Sequence, residues 1–183
     1  AGFVVTRLIY FLVRGATPRV NEVFKRGQWL TAVVMAFGQG TNDAQKTMGV
    51  IALSLVIGKV SPVFQVPMWV ITVSAATIAI GTSLGGWRLI RTLGGKFYKI
   101  RPLHSFSTQL SSASVILAAS LFGVPVSTSQ VVSSAIIGVG SAERASKVRW
   151  SVAEDIIMAW LITIPASGLL SAGTYWLIVN LTK

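Results

Sequence analysis

The sequence is poor in the side chains that carry much of enzyme chemistry. Its 183 residues include no cysteine, one histidine and five acidic residues. The absence of cysteine excludes disulfides and thiolate metal sites, although it does not fix the cellular compartment. The one histidine, His104, follows Pro102 at the edge of a basic segment, where we expect a surface position. No serine has a recognisable base partner, so we expect neither an enzyme active site nor a bound cofactor.

Charge is missing from long stretches of the chain. Three runs contain no Asp, Glu, Lys or Arg: residues 60–87, 102–142 and 156–182, with 28, 41 and 27 residues. A helix needs about 20 apolar residues to cross the hydrocarbon core, whereas a soluble helical bundle would show charged stripes at the helical period. The sequence therefore predicts an all-α integral membrane protein, with one transmembrane domain over residues 1–183.

The charge that is present is mostly positive, with a net value of +11. The basic residues concentrate in three segments that flank apolar runs, at residues 14–27, 85–104 and 141–151. This arrangement follows the positive-inside rule and argues against nucleic acid as a partner. We therefore expect a multi-pass protein of the plasma membrane, in contact with lipid, with these three loops on the cytoplasmic side.

Residues 28–58 form a segment too long for one straight span. A helix of 31 residues would be about 46 Å long, against a hydrocarbon core of about 30 Å. Its middle contains Gly38 and Gly40, followed by a polar cluster. We therefore predict a broken transmembrane helix, in which Asn42 and Asp43 cap the second half-helix.

The remaining segments predict one span at residues 66–84, a helical hairpin at 105–140 and a last span at 152–180. The hairpin is interrupted at Pro125 and has basic loops at both ends, which two full spans would also satisfy. We favour a re-entrant hairpin whose tip is buried in protein, because non-helical backbone at membrane depth is tolerated only there or beside a water-filled cavity.

The two interruptions carry the candidate site. An ionisable residue at membrane depth is by default a functional hypothesis. Unwound carbonyls together with the Asp43 carboxylate suit Na⁺ or a proton, and a helix N-terminus suits an anion. At the interruption of the hairpin, directly after Pro125, the hydroxyl groups belong to Ser127, Thr128 and Ser129.

Structural interpretations compete with each of these roles. Asp43 can pair with Lys46, three residues further along the same helix face, and Lys46 can either form that pair or attract an anion. Serine and threonine in membrane helices often bond to the preceding turn. We expect such packing, rather than binding, for the serine-rich face at residues 105–114.

Two motifs together carry a resemblance. "GTNDAQKTMG" at residues 40–49 and "PVSTSQ" at 125–130 resemble the PiT family of inorganic phosphate transporters, and residues 148–167 are similar to bacterial members. The resemblance covers nearly the whole chain but only the C-terminal half of the family's pattern. It implies one half of an inverted-repeat secondary transporter, with the N-terminal half as a missing partner. The short apolar stretch at residues 2–13 would then be the end of a truncated helix.

The resemblance implies symport of inorganic phosphate with Na⁺ or H⁺. Asn42 and Asp43 would couple the cation, and a Na⁺ at Asp43 is the only metal expected. Many members have His where this chain has Gln130, which can donate a hydrogen bond but cannot carry a proton. The residues implied in phosphate binding are Thr41, Asn42, Ser127, Thr128, Ser129 and Gln130.

Other functions remain open at the level of sequence. A transporter of the same fold could carry sulfate or a neutral metal–phosphate complex, because hydrogen-bond donors alone do not distinguish these substrates. A half-length membrane partner without transport activity of its own is a third hypothesis. A homodimer is a candidate assembly.

Overall fold

A computed structural model describes residues 1–14, 20–95 and 102–181. Within these ranges the chain is helical and contains no β-strand, which confirms the predicted all-α class. It divides into two units, residues Ala1–Val148 and Arg149–Lys183. The α-helices are α1 Gly2–Leu12, α2 Val20–Ile57, α3 Met68–Gly95, α4 Pro102–Leu121, α5 Thr128–Arg144 and α6 Trp150–Leu181, with a 3₁₀ turn at Ala145–Lys147.

The predicted broken helix is wrong: α2 is one α-helix from Val20 to Ile57. The Thr41 hydroxyl donates to the carbonyls of Phe37 and Gly38, at 3.0 Å each, so this polar side chain is accommodated without unwinding. A helical glycine costs only about 1 kcal/mol relative to alanine. An unsatisfied backbone group in hydrocarbon costs several kcal/mol, so the intact helix is the more stable solution.

The helices α2 and α4 pack together through both apolar and polar contacts. Gly38 lies against Leu117, since a Cβ atom on this glycine would come within 3.2 Å of the leucine side chain. Nearer the start of the pair, Thr31 donates to Gln109 Oε1 at 2.6 Å, and Gln28 donates to the carbonyl of Pro102 at 2.8 Å. These bonds hold the beginning of α4 against α2.

The helices α1 and α5 meet almost backbone to backbone. A Cβ atom on Gly2 would lie 2.6 Å from the carbonyl oxygen of Ala135, and one on Gly138 would lie 3.0 Å from the backbone nitrogen of Phe3. Small residues permit this close approach between membrane helices. The predicted truncated helix at residues 2–13 is therefore a helix, α1, that packs on the hairpin.

The predicted hairpin is present as two packed helices, α4 and α5, joined by residues 122–127. Gly123 adopts the left-handed region, with φ +68°, which glycine enters without steric cost. Pro125 follows, and its missing N–H and its ring disfavour continuation of α4 through the turn. Whether this hairpin is re-entrant stays a prediction.

The predicted basic loops are partly helical. The second was predicted at residues 85–104, but α3 extends to Gly95 and α4 begins at Pro102; residues 96–101 lie outside the described ranges. In the first predicted loop, residues 14–27, residues 20–27 belong to α2, and residues 15–19 also lie outside the described ranges. The third predicted loop, residues 141–151, contains the end of α5 and the 3₁₀ turn. The bounds were wrong because basic side chains indicate a side of the membrane, and lysine and arginine are also good helix formers.

Two helices have the length and apolar composition to cross a membrane: Met68–Gly85 within α3, and α6, Trp150–Leu181. They correspond to the predicted spans at residues 66–84 and 152–180. Large apolar side chains lie along α6, including Leu169, Trp176 and Leu181, and this composition fits contact with lipid or with other membrane helices.

Candidate functional site

The tip of the α4–α5 hairpin lies against the middle of α2. Lys46 Nζ donates to Asp43 Oδ1 at 2.9 Å and also to the backbone carbonyl of Val126 in the tip. Thr128 Oγ1, in the first turn of α5, donates to Asp43 Oδ2 at 3.3 Å. Both carboxylate oxygens of Asp43 are therefore engaged, and the two polar motifs of the sequence meet at this residue.

Asn42 connects the same part of α2 to the end of α4. Its amide nitrogen donates to Ser120 Oγ at 3.2 Å, and the residue is only 2% exposed. Its Oδ1 atom is buried and accepts no hydrogen bond from the described residues. A buried acceptor of this kind is costly, and such groups often occur at functional sites.

The N-terminus of α5 presents hydroxyl groups that do not cap the helix. Ser127 is the N-cap residue, with extended backbone, yet its side chain makes no capping hydrogen bond. Its Oγ lies 3.2 Å from Ser129 Oγ, and both residues are exposed, as is Gln130. The first N–H groups of a helix also lack acceptors within the helix. Together these donors match the needs of an oxyanion.

Two cavities flank the central turns of α2. One, of about 770 Å³, lies between α2 and α3 and is lined by Thr41 and Asp43, with Thr82 and Ser83 on α3. The other, of about 440 Å³, lies between α2 and the hairpin turn and is lined by Asn42 and Lys46, with Gly123, Val124 and Pro125 on the turn. Asp43 and Lys46 thus line different cavities although they are paired.

The structure brings together four of the sequence-predicted residues: Asn42, Asp43, Lys46 and Thr128. Asn42 and Asp43 lie inside α2, so their predicted role as N-caps of a half-helix is wrong. Thr41 lies on the α3 side of α2, and its hydroxyl is already bonded within the helix.

Ser120 is a site residue that the sequence did not reveal, because nothing distinguishes it from the other serines of α4. Those serines mostly pack, as expected. Ser107 Oγ donates to the carbonyl of Leu103 at 2.8 Å, and Ser111 Oγ donates to that of Ser107 at 2.6 Å.

A second polar cluster lies at the opposite end of the hairpin. His104 is 2% exposed, so its expected surface position is wrong. Its Nε2 atom lies 3.2 Å from the hydroxyl of Tyr10 on α1 and 3.3 Å from Glu143 Oε2 on α5. Because α4 begins at Pro102, His104 belongs to a helix whose neighbours cover it, not to a loop.

Comparison with known proteins identifies the family. The pattern of the "Phosphate transporter family" matches residues 11–171, so the chain belongs to this family and is a membrane protein. The resemblance in the two motifs is thereby confirmed.

The described residues contain no group of three or more His, Cys, Asp or Glu side chains that could hold a metal ion.

Particular relatives are similar over almost the whole chain. A "Probable low-affinity inorganic phosphate transporter" of Rhizobium meliloti is 42% identical over 96% of this chain and 54% of its own length. Proteins of the same description in Mycobacterium tuberculosis and Bacillus subtilis are 46% and 37% identical over 97% of this chain, and over 43% and 54% of their own lengths. The chain thus spans about half the length of these relatives.

A solved structure is also similar. It is described as "The sodium-dependent phosphate transporter" and aligns with a TM-score of 0.78 and 29% identity, over 96% of this chain and 46% of that chain.

Proposed function

We propose that the intact protein carries inorganic phosphate across the cell membrane in symport with a cation, Na⁺ or H⁺. The observation that carries this proposal is the contact between Thr128 and Asp43, 3.3 Å between Oγ1 and Oδ2. It places a helix N-terminus rich in hydroxyl groups beside a carboxylate within a predicted membrane-spanning segment. The relatives described as phosphate transporters support the same substrate.

In this proposal the phosphate binds at the N-terminus of α5. The donors are the side chains of Ser127, Thr128, Ser129 and Gln130 with the first N–H groups of the helix, and Thr41 and Asn42 contribute from α2. A helix N-terminus stabilises negative charge because its N–H groups and its dipole both face the anion.

The cation binds at Asn42 and Asp43. A carboxylate and a buried amide oxygen, Asn42 Oδ1, are ligands that suit Na⁺, while a carboxylate also suits a proton. The similar structure described as sodium-dependent supports Na⁺. Lys46 is a candidate either for pairing with Asp43 or for attracting the anion towards this region.

In this proposal, the complete binding site also requires residues from a second structural repeat on its other side. We infer that an inverted repeat of the same kind supplies these residues, because transporter sites usually lie between such repeats. The basic segments 14–27, 85–104 and 141–151 would face the cytoplasm of a bacterial cell, and two copies of the protein could form a dimer. Transport, rather than catalysis, fits the descriptions of the relatives.

Uptake of labelled phosphate by the intact protein in liposomes tests the proposal. We expect uptake that depends on a cation gradient and is unchanged by excess sulfate, while empty liposomes show none. Strong inhibition by sulfate would favour a sulfate transporter, and a requirement for a divalent metal would favour a metal–phosphate complex. No uptake under any of these gradients would contradict the proposed function.

A further inference from the structure

We propose that the ammonium group of Lys46 is a built-in counter-cation of Asp43, which takes the place of a coupling sodium ion at this carboxylate. Lys46 would then determine which cation the site uses, instead of attracting the anion. This inference rests on the proposed function and narrows its cation side: of the two coupling ions proposed there, it excludes Na⁺ at Asp43 and leaves H⁺.

The first argument is the set of atoms around Lys46 Nζ. The ammonium donates to a carboxylate oxygen, Asp43 Oδ1, at 2.9 Å, and to the backbone carbonyl of Val126. This carbonyl belongs to the non-helical residues 122–127 between α4 and α5, so no helical hydrogen bond competes for it. Carboxylates and non-helical carbonyls are the ligands that coupling cations use in transporters.

The second argument is the tether. Lys46 lies three residues after Asp43 on one helix, and residues at this spacing share a helix face. The ammonium is therefore held near the carboxylate at a high effective concentration, as in any intramolecular binding event. A sodium ion from solution must compete with this tethered charge.

The third argument is the balance of charge. Asp43 is the only acidic residue between residues 23 and 142 of the sequence, and Lys46 neutralises it. A sodium ion beside this pair would face one positive charge with no second carboxylate from this stretch to offset it. Repulsion between the Lys46 ammonium and a neighbouring sodium ion disfavours binding of the sodium ion.

The two charged groups of this pair face different spaces. Lys46 lines the smaller cavity with Asn42 and the hairpin turn, whereas Asp43 lines the cavity on the α3 side. The ammonium is committed to two acceptors and links α2 to the hairpin tip. Lys46 is thus a positioning and specificity-determining residue.

The test compares the intact wild-type protein with Lys46→Met, Lys46→Gln and Lys46→Arg in liposomes. Phosphate uptake is measured in sodium chloride and in choline chloride, at the same pH and membrane potential. We expect the ratio of the two rates to be near one for wild type and for Lys46→Arg. For Lys46→Met, uptake in choline should fall by about tenfold or more, because charge-assisted hydrogen bonds are lost, and sodium should restore it.

A second readout does not depend on transport. Binding of radioactive sodium to the purified proteins should increase in Lys46→Met and Lys46→Gln relative to wild type and Lys46→Arg. The control is Lys59→Met, which removes an exposed charge after the end of α2 and should change neither measurement. Lys46→Gln keeps the test usable if Lys46→Met does not fold.

Equal sodium binding by wild type and the uncharged variants, with equal sodium dependence of uptake, would overturn the proposal. A rise in the KM for phosphate that is the same in both salts would assign Lys46 to the anion instead. If no protein takes up phosphate, the proposed function fails, and the sodium-binding comparison alone still decides the role of Lys46.

Discussion

The two ends of the α4–α5 hairpin use similar groups in different surroundings. Each end combines an acidic side chain, a basic one and a hydroxyl: Asp43, Lys46 and Thr128 at the tip, and Glu143, His104 and Tyr10 at the base. At the tip, the Asp43 and Lys46 side chains are 34% and 33% exposed and line cavities. At the base, the His104 side chain is 2% exposed and that of Glu143 is 16% exposed.

The difference fits the proposed role of the tip in binding and a supporting role for the base. The base cluster joins three helices, α1, α4 and α5, and its burial keeps ligands from reaching it. The tip cluster joins α2 to a turn and stays accessible, so its groups can exchange partners with a ligand. A buried polar network rigidifies its neighbours when it is satisfied, so we expect the base cluster to hold α1, α4 and α5 together.

The largest expected effect comes from removing the charge at the tip. Asp43→Asn keeps the size of the side chain but weakens the hydrogen bonds from Lys46 and Thr128. Hydrogen bonds to a charged group contribute about 1.5–3 kcal/mol, so phosphate uptake should fall roughly ten- to hundredfold. The measurement is uptake per folded protein in liposomes. Unchanged uptake would show that the carboxylate is not part of the transport site.

The next largest effect is expected at the base of the hairpin, where substitution of His104 should change stability. His104→Leu removes a partner of Tyr10 and of Glu143 inside the protein, which should lower the free energy of unfolding by about 1–3 kcal/mol. His104→Gln, which keeps donor and acceptor groups, should recover part of the loss. Thermal unfolding of the purified variants measures both. Loss of uptake without loss of stability would contradict a purely supporting role for this cluster.

The turn that joins the two ends gives a smaller effect. At Gly123, with φ +68°, alanine should destabilise the protein by about 1–2 kcal/mol, because a Cβ atom is disfavoured in the left-handed region. No atom lies within 4 Å of such a Cβ, so the effect is one of backbone strain. The matched control is Gly81→Ala in α3, also in open space, which should leave stability unchanged or raise it by up to about 1 kcal/mol.

The smallest effect tests the hydroxyl that joins the tip to Asp43. Thr128→Val keeps the shape of the side chain but removes its donor, at a cost of about 0.5–1.5 kcal/mol, so uptake should fall roughly two- to tenfold. Thr128→Ser restores a hydroxyl and should recover most of the activity. Equal uptake by the valine and serine variants would contradict a role for this donor.

The hairpin and the pairing of its tip with the Asp43 region could be anticipated from the sequence. Pro125 removes a backbone donor and is unfavourable in the interior of a helix, so a break was visible locally. The polar residues of both motifs stand out in apolar surroundings, where each needs a partner. Polar residues in apolar surroundings therefore tend to contact one another. The family resemblance independently indicated that the motif at residues 40–49 pairs with the motif at residues 125–130.

The continuity of α2 and the burial of His104 could not be read from the sequence in the same way. The glycines at 38 and 40 permit a break but do not require one, and contacts with α4 decide the outcome. Likewise, His104 is buried because α1 and α5 cover the start of α4, and those contacts come from distant parts of the chain. Local signals therefore located the turn, whereas tertiary packing determined the helices around it.

The uninterrupted α2 helix has a mechanical consequence. At 38 residues and 1.5 Å per residue it is a rod about 57 Å long, and Asp43 lies along its length instead of at a joint. A rod without a hinge transmits rotation: a tilt about the level of Asp43 swings its two ends in opposite directions. A change of partners at the Asp43 carboxylate that tilts α2 would therefore move both ends of the helix at the same time.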